Sequence, residues 1–316
     1  MMKRHYKANG KLLITGEYAV LDGAEALVLP IRYGQKLTVK YEPKENEQHI
    51  SWTAREFGNE WFTASFSFAL DILSTNNLVI ARRLRDTLET VILLQPALIE
   101  INNKLSFETD IEFNRNWGFG TSSTLLALLS KWAGIDPMTL HNRCSSGSGY
   151  DIEAAIRSQS FIYQGKPGLH KTENIQLSAS AIDAMFFVYL GKKQNTRDAI
   201  SAYRAMNNRK IPVPEISELT RRFVRCTDKF ELMQIIDEHE RILSDILRHQ
   251  TLKESRFPDF EGAVKSLGAW GGDFALFVTD QPREYLINYL KNKSLHTVFT
   301  YNDLAFIDQV VNTGKH

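Results

Sequence analysis

Residues 114–133 read NRNWGFGTSSTLLALLSKWA, with two glycines and three hydroxyls standing directly before a leucine-rich segment. Leu125, Leu128, Leu129 and Trp132 recur at helical spacing, which predicts a helix with one buried stripe. Glycine lets the backbone turn and approach a ligand closely. Thr121, Ser122 and Ser123 can cap such a helix. The free N–H groups of a helix start carry partial positive charge, which suits phosphate, and a serine hydroxyl there can ligate Mg²⁺. Taken alone, the stretch reads as a plain capped helix after a turn, since most Gly–Ser helix starts bind nothing. Its spacing is not that of a P-loop.

Outward from this stretch, the first half of the chain is strand-rich. KLLITG at 11–16 and QKLTVKYE at 35–42 read as strands, and segment 44–65 as a hairpin with an excursion loop. NLVIARRLRDTLETVILL at 77–94 reads as an amphipathic helix, with Val79, Leu84, Leu88 and Val91 on its apolar face. Residues 98–107 and 110–114 read as two strands, 136–144 as a short helix, and FIYQ at 161–164 as a strand. In the second half, MFFVYL at 185–190 and FALFV at 274–278 read as buried strands, and HTVFTY at 296–301 as a further strand. Helices are expected near 197–206, 215–226, 228–249 and 281–292. Phe230, Met233, Ile236, Leu243 and Leu247 would line one face of the long one. The alternation is too irregular for a doubly wound sheet, so the class is α+β. The polar, glycine-containing GKPGLHKTEN suggests a boundary near 165–180, giving domains at 1–170 and 171–316.

Composition narrows the partners. The 316 residues carry 38 basic and 37 acidic side chains, so a net charge of +1 gives no reason to expect nucleic acid. Apolar runs are strand-sized, well short of a membrane span or a signal peptide, and a cytoplasmic location follows as the expectation. Cys144 and Cys226 are far apart and lack metal-ligand spacing, which suggests free thiols.

Three more stretches carry possible chemistry. ANGKLLITGEYAVLDG at 8–23 opens a strand with Lys11 and closes it with a Gly-Glu-Tyr turn; a lysine there is ordinarily a surface charge. SSGSGYDIEAA at 145–155 sets Asp151 at a helix start, where an aspartate is a common cap. KSLGAWGGDFALFV at 265–278 feeds a glycine turn into a strand, as a hairpin or bulge would.

Together and in this order, the four stretches resemble the GHMP small-molecule kinase superfamily, which includes galactokinase, homoserine kinase, mevalonate kinase and phosphomevalonate kinase. The resemblance runs from Ala8 to about Val278. The family's APGK…GE(H/Y)AV appears as ANGK…GEYAV, GLGSSA as GFGTSS, and GAGGG as GAWGG. Asn9, Phe119, Thr121 and Trp270 are the departures, and they mark a divergent branch. GEYAVL, SGSGYD and GGD at 271–273 are most similar to phosphomevalonate kinase, and LGKKQNTRDAI resembles the family's Gly-(x)₃₋₄-Thr turn, where Lys192, Lys193 or Arg197 would either meet an anionic substrate or stand in a solvated turn. No acid stands about eleven residues before Asp151, where mevalonate kinase and galactokinase carry a second Mg²⁺ carboxylate.

The resemblance implies a two-domain fold, a ribosomal-protein-S5 second-domain-like half followed by a ferredoxin-like half, with ATP between them. It implies that Gly118, Gly120, Thr121, Ser122 and Ser123 wrap the ATP phosphates, with Ser122 on Mg²⁺. Lys11 and Asp151 would be catalytic. Glu17, Tyr18, Ser146, Ser148, Gly149, Gly271 and Gly272 would face a small-molecule phosphoryl acceptor, for which mevalonate 5-phosphate is expected first. Mevalonate or another small alcohol, a decarboxylating relative, and a kinase-fold sensor without turnover are the alternatives.

Overall fold

A computed structural model describes residues 2–43, 49–98, 103–166, 169–191, 196–206, 211–268 and 272–306. Two long strands, β1 (Met2–Leu13) and β2 (Ala26–Pro43), pair antiparallel from Met2 against Tyr41 to Leu13 against Val28. A short 3-10 turn, Ala19–Asp22, links them. The first sheet then adds β3 (His49–Glu56), β4 (Asn59–Ser67) and β5 (Ile72–Thr75). The helix α1 (Leu78–Leu94) carries the chain across to β6 (Asn103–Ile111), which pairs parallel with β3. Three helices follow, α2 (Thr121–Ala133), α3 (Pro137–Cys144) and α4 (Tyr150–Ile156), and the strands β7 (Phe161–Lys166) and β8 (Leu169–Asn174) complete the sheet. Its order is β5-β4-β3-β6-β2-β7-β8, with β1 also on β2.

Local pattern explains these elements and corrects three expectations. The described part of segment 44–65 is no excursion loop: Ile50, Trp52 and Ala54 alternate inward against Phe62, Ala64 and Phe66, the period of a half-buried strand. Trp52 stacks on Phe107 at 5.1 Å between ring centroids. The two strands expected across 98–114 form one, because Leu105, Phe107 and Thr109 face inward without a break. In α1, Asn77 caps the first turn by accepting from the Ile80 N–H, and the buried stripe is Ala81, Leu84, Leu88 and Val91. Val79 lies off that stripe, exposed.

The second half opens with α5 (Ala179–Ala184), β9 (Met185–Tyr189), α6 (Thr196–Ala205), α7 (Val213–Arg225), α8 (Lys229–Leu247) and α9 (Leu252–Arg256). It closes with β10 (Ala263–Leu267), β11 (Phe274–Val278), α10 (Arg283–Asn292), β12 (Val298–Thr300) and α11 (Tyr301–Leu304). The second sheet is antiparallel throughout, in the order β10-β11-β9-β12. Both of its faces are covered. Phe187, Leu276 and Val278 pack with α7 and α8 residues, while Phe186, Val188 and Phe277 pack with α9 and α10. Burial on both faces is why MFFVY and FALFV read as continuous apolar runs. On α8, Phe230 is exposed rather than in the stripe, and His239 and Glu240 are buried with Ile236 and Leu243. The expected cut at residue 170 falls inside β8, which belongs to the first sheet through its pairing with β7.

One apolar cluster joins the two sheets. It contains Leu12, Ile14, Leu29 and Ile31 of the first sheet and Phe187, Phe274 and Leu276 of the second. Phe119, fully buried, sits in that cluster and stacks on Phe274 at 4.9 Å, with Trp117 edge-on at 5.6 Å. The segment before α2 is thereby pinned at the seam between the halves. Burying a phenylalanine fully contributes roughly 1.5–3 kcal/mol, so the anchor is substantial.

Candidate active site

The glycine–hydroxyl stretch forms the mouth of α2. Gly120 is its N-cap, at φ 95°, and no side chain caps the first turn. This corrects the expectation that Thr121, Ser122 or Ser123 caps the helix: Thr121 is already its first residue, and the buried Ser123 Oγ donates to the Gly120 carbonyl at 2.8 Å. Ser122 is exposed at the same turn. Gly118 and Gly120 both lie at positive φ, and neither position has room for a Cβ: one on Gly120 would meet Ser123 Oγ at 2.8 Å. The helix start is thus bare backbone with one exposed hydroxyl, the arrangement that attracts an anion. Deeper in the same turn, Thr124 Oγ1 donates to Gln35 Oε1 at 2.7 Å and ties α2 to β2.

Lys11 reaches this mouth from β1. Its backbone N–H donates to the Phe119 carbonyl at 3.0 Å, and its Nζ donates to the Gly118 carbonyl at 2.9 Å. The ammonium lies 5.9 Å from the centre of the Tyr150 ring. Burial lowers the Lys11 pKa, and the charges of Asp151 and Asp273 offset only part of that. Asp151 is the second residue of α4, half-buried, with Oδ1 accepting from the Ile152 N–H at 3.1 Å. The N-cap there is Gly149, not the aspartate. The structure therefore gathers Lys11, Asp151, Gly118 and Gly120 at one place from three separate segments of the sequence. Gly272 donates its N–H toward Ser266 Oγ at 3.4 Å, while Gly271, Trp270, Lys192 and Lys193 lie outside the described residues.

Glu17 has a different place from the one expected. It is turned into the core, 2% exposed, where Lys265 Nζ donates to its Oε1 at 2.6 Å. Lys265, itself fully buried, is also 3.4 Å from Glu240 Oε1, and Glu240 Oε2 accepts from the Ser266 N–H. His239 Nε2 accepts from the Gly16 N–H at 3.0 Å, which fixes the turn that carries Glu17. Burial raises the Glu17 pKa to about 7 despite Lys265, raises Glu240 as well, and depresses His239. Two carboxylates on one lysine make this a structural clamp between the Gly-Glu-Tyr turn, α8 and β10. Sequence reasoning missed Lys265, Glu240 and His239, because apolar periodicity hides a charge on a buried face. Tyr18, at φ 58°, packs on Tyr203 at 5.0 Å.

The serine–glycine loop 145–149 leads into α4. Ser146 accepts on its carbonyl from Arg204 of α6 at 2.6 Å, and the Ser148 carbonyl accepts from the Tyr163 hydroxyl. Under the loop, both ring nitrogens of the buried His141 and the Ser148 Oγ have no partner among the described residues. Burial of such groups unpaired costs about 1–3 kcal/mol each, and no sequence signal announced His141. Cys144 and Cys226 are free, as expected. Among the described residues no three or more His, Cys, Asp and Glu side chains gather as a metal set, and no helix is long and apolar enough to cross a membrane.

No family profile matches the chain, and no curated protein does. Solved structures do. The phosphomevalonate kinase of Streptococcus pneumoniae, in complex with phosphomevalonate and AMPPNP, superposes with a TM-score of 0.70 over 94% of this chain and 99% of that one, at 14% identity. The fold is that of the GHMP kinases. Mevalonate kinase from Methanococcus jannaschii gives a TM-score of 0.68 at 14% identity, covering 94% and 97% of the two chains. A D-glycero-D-manno-heptose 1-phosphate kinase from Bacteroides thetaiotaomicron gives 0.61 at 17% identity, covering 97% of each. The large mixed sheet and the small antiparallel sheet are consistent with that fold.

Proposed function

We propose that the chain is an ATP-dependent small-molecule phosphotransferase, with mevalonate 5-phosphate as the acceptor. The observation that carries the reading is the convergence at one seam of an uncapped helix start, a lysine and an aspartate. Phosphoryl transfer needs alignment and neutralisation of charge more than covalent help, and these parts supply both. The first turn of α2 and the loop at Gly118–Gly120 would hold the triphosphate. The exposed hydroxyl of Ser122 would be the protein's ligand to Mg²⁺, whose chemistry when bound is to neutralise the phosphate oxygens; a hydroxyl beside phosphates is a hard-oxygen donor set that fits it. Lys11 would offset the charge of the moving phosphoryl group. Asp151 would accept a proton from an alcohol acceptor, or orient Lys11 where the acceptor is already a phosphate.

The choice of acceptor rests on the similarity of GEYAVL, SGSGYD and GGD to phosphomevalonate kinase, supported by the superposition on that enzyme in complex with phosphomevalonate. Gly149 and Gly272, with Ser146 and Ser148, would line the acceptor side. ADP release, followed with a coupled assay, tests the choice when mevalonate and mevalonate 5-phosphate are offered separately. Turnover on mevalonate 5-phosphate alone is expected. Turnover on mevalonate alone would reassign the acceptor.

A further inference from the structure

Two side chains converge on Gly118 from the two halves of the molecule. Lys11 Nζ, from β1, donates to its carbonyl oxygen at 2.9 Å. The Asp273 carboxylate, from the turn that opens β11, lies against its α-carbon: a Cβ on Gly118 would meet Asp273 Oδ2 at 1.8 Å and Cγ at 2.7 Å. Glycine is the residue that lets this carboxylate so close to the loop. The Asp273 carbonyl accepts from the Leu190 N–H at 2.9 Å, which ties the aspartate to the end of β9. The groups that face the Lys11 ammonium are therefore Asp151 from α4, Asp273 from the second sheet, the Tyr150 ring and the Gly118 carbonyl.

We infer that Asp273 is a positioning residue of the site: with Asp151 it holds the Lys11 ammonium charged and aimed at Gly118, from the opposite half of the molecule. The geometry stands independently of the proposed function; the effect on rate rests on it. A half-buried ammonium loses its proton more readily than a solvated one, and the two carboxylates together offset part of that, so removing either leaves the ammonium less protected. Carboxylates from α4 and from the turn before β11 also make the charge of Lys11 depend on the seam being closed. Asp273 would act through Lys11 and need touch neither nucleotide nor acceptor.

The test reads Lys11 itself. Its ¹³Cε–¹⁵Nζ resonance, assigned by its loss in Lys11→Arg, is titrated in the wild type, Asp273→Asn and Asp273→Glu. The Asn variant is near-isosteric and removes only charge, so its Lys11 midpoint should move to lower pH. The Glu variant restores charge and should return the midpoint toward the wild type. The alkaline limb of kcat should shift with the midpoint, with kcat at neutral pH down by up to about a hundredfold and KM for ATP nearly unchanged. An unmoved midpoint in Asp273→Asn overturns the inference, as do equal shifts in both variants, which would point to packing. A wild type that transfers no phosphoryl group while the midpoint still shifts counts against the proposed function alone.

Discussion

At the scale of single residues, the site sets buried charges against one another. Asp151→Asn keeps the shape of α4 and removes the carboxylate. Nucleotide affinity by calorimetry should stay within a few-fold, while kcat falls by roughly 10²–10⁴ if the residue handles a proton. Retained kcat would remove Asp151 from the chemistry. Glu17 makes a separate prediction about stability. Its pKa is near 4.5 unfolded and about 7 folded, so its contribution is present at low pH and is lost as pH rises through that window. The loss amounts to as much as about 3 kcal/mol. Glu240 titrates with the same sign, and His239, depressed in the fold, with the opposite one. Glu17→Gln should therefore flatten the decline in urea-unfolding stability between about pH 5 and 7.5 relative to the wild type. An equal decline in the variant would mean that Glu17 stays ionised against Lys265.

At the scale of elements, the candidate site depends on how α2 is held. Phe119 fills the position before its N-cap and stacks on β11 through Phe274. Phe119→Ala should lose about 3–5 kcal/mol of stability and weaken nucleotide binding together, since the same ring packs the core and seats the loop. A stability loss with nucleotide affinity intact would separate the two roles. Much of the element order was legible in the sequence. The buried strands β9 and β11 and the burial of Leu128, Leu129 and Trp132 in α2 follow from the apolar pattern, whereas α2 is covered more widely than one stripe, with Leu126 and Ala127 buried and Leu125 only partly so. The site was legible only through the order of four short motifs, because residues as far apart as Lys11 and Asp151 meet by folding. What escaped were side chains whose meaning is purely tertiary. Lys265 looks like any surface lysine until β10 buries it against Glu17, and His141 looks like a polar residue of a short helix until the fold buries it. The merging of two expected strands into β6 escaped because the polar residues between them continue the alternation.

At the scale of the whole molecule, two sheets share one apolar cluster, and the candidate site lies on the seam they form. Lys11 and the α2 mouth come from the first half, and Asp273 and Gly272 from the second. In the proposed function, groups drawn from both halves would make closure of the seam part of the chemistry. Mg·ATP bound across it should raise the unfolding temperature of the entire chain in one transition, by about RT ln(1 + [L]/Kd) in free energy. Two separate transitions, one of them unmoved, would show halves that unfold independently. The central claim is phosphoryl transfer itself. A ³¹P spectrum of the protein with Mg·ATP and mevalonate 5-phosphate reads it most directly. A new diphosphate signal that grows with ADP and is absent with Asp151→Asn is expected. ATP that stays intact beside bound mevalonate 5-phosphate would contradict it.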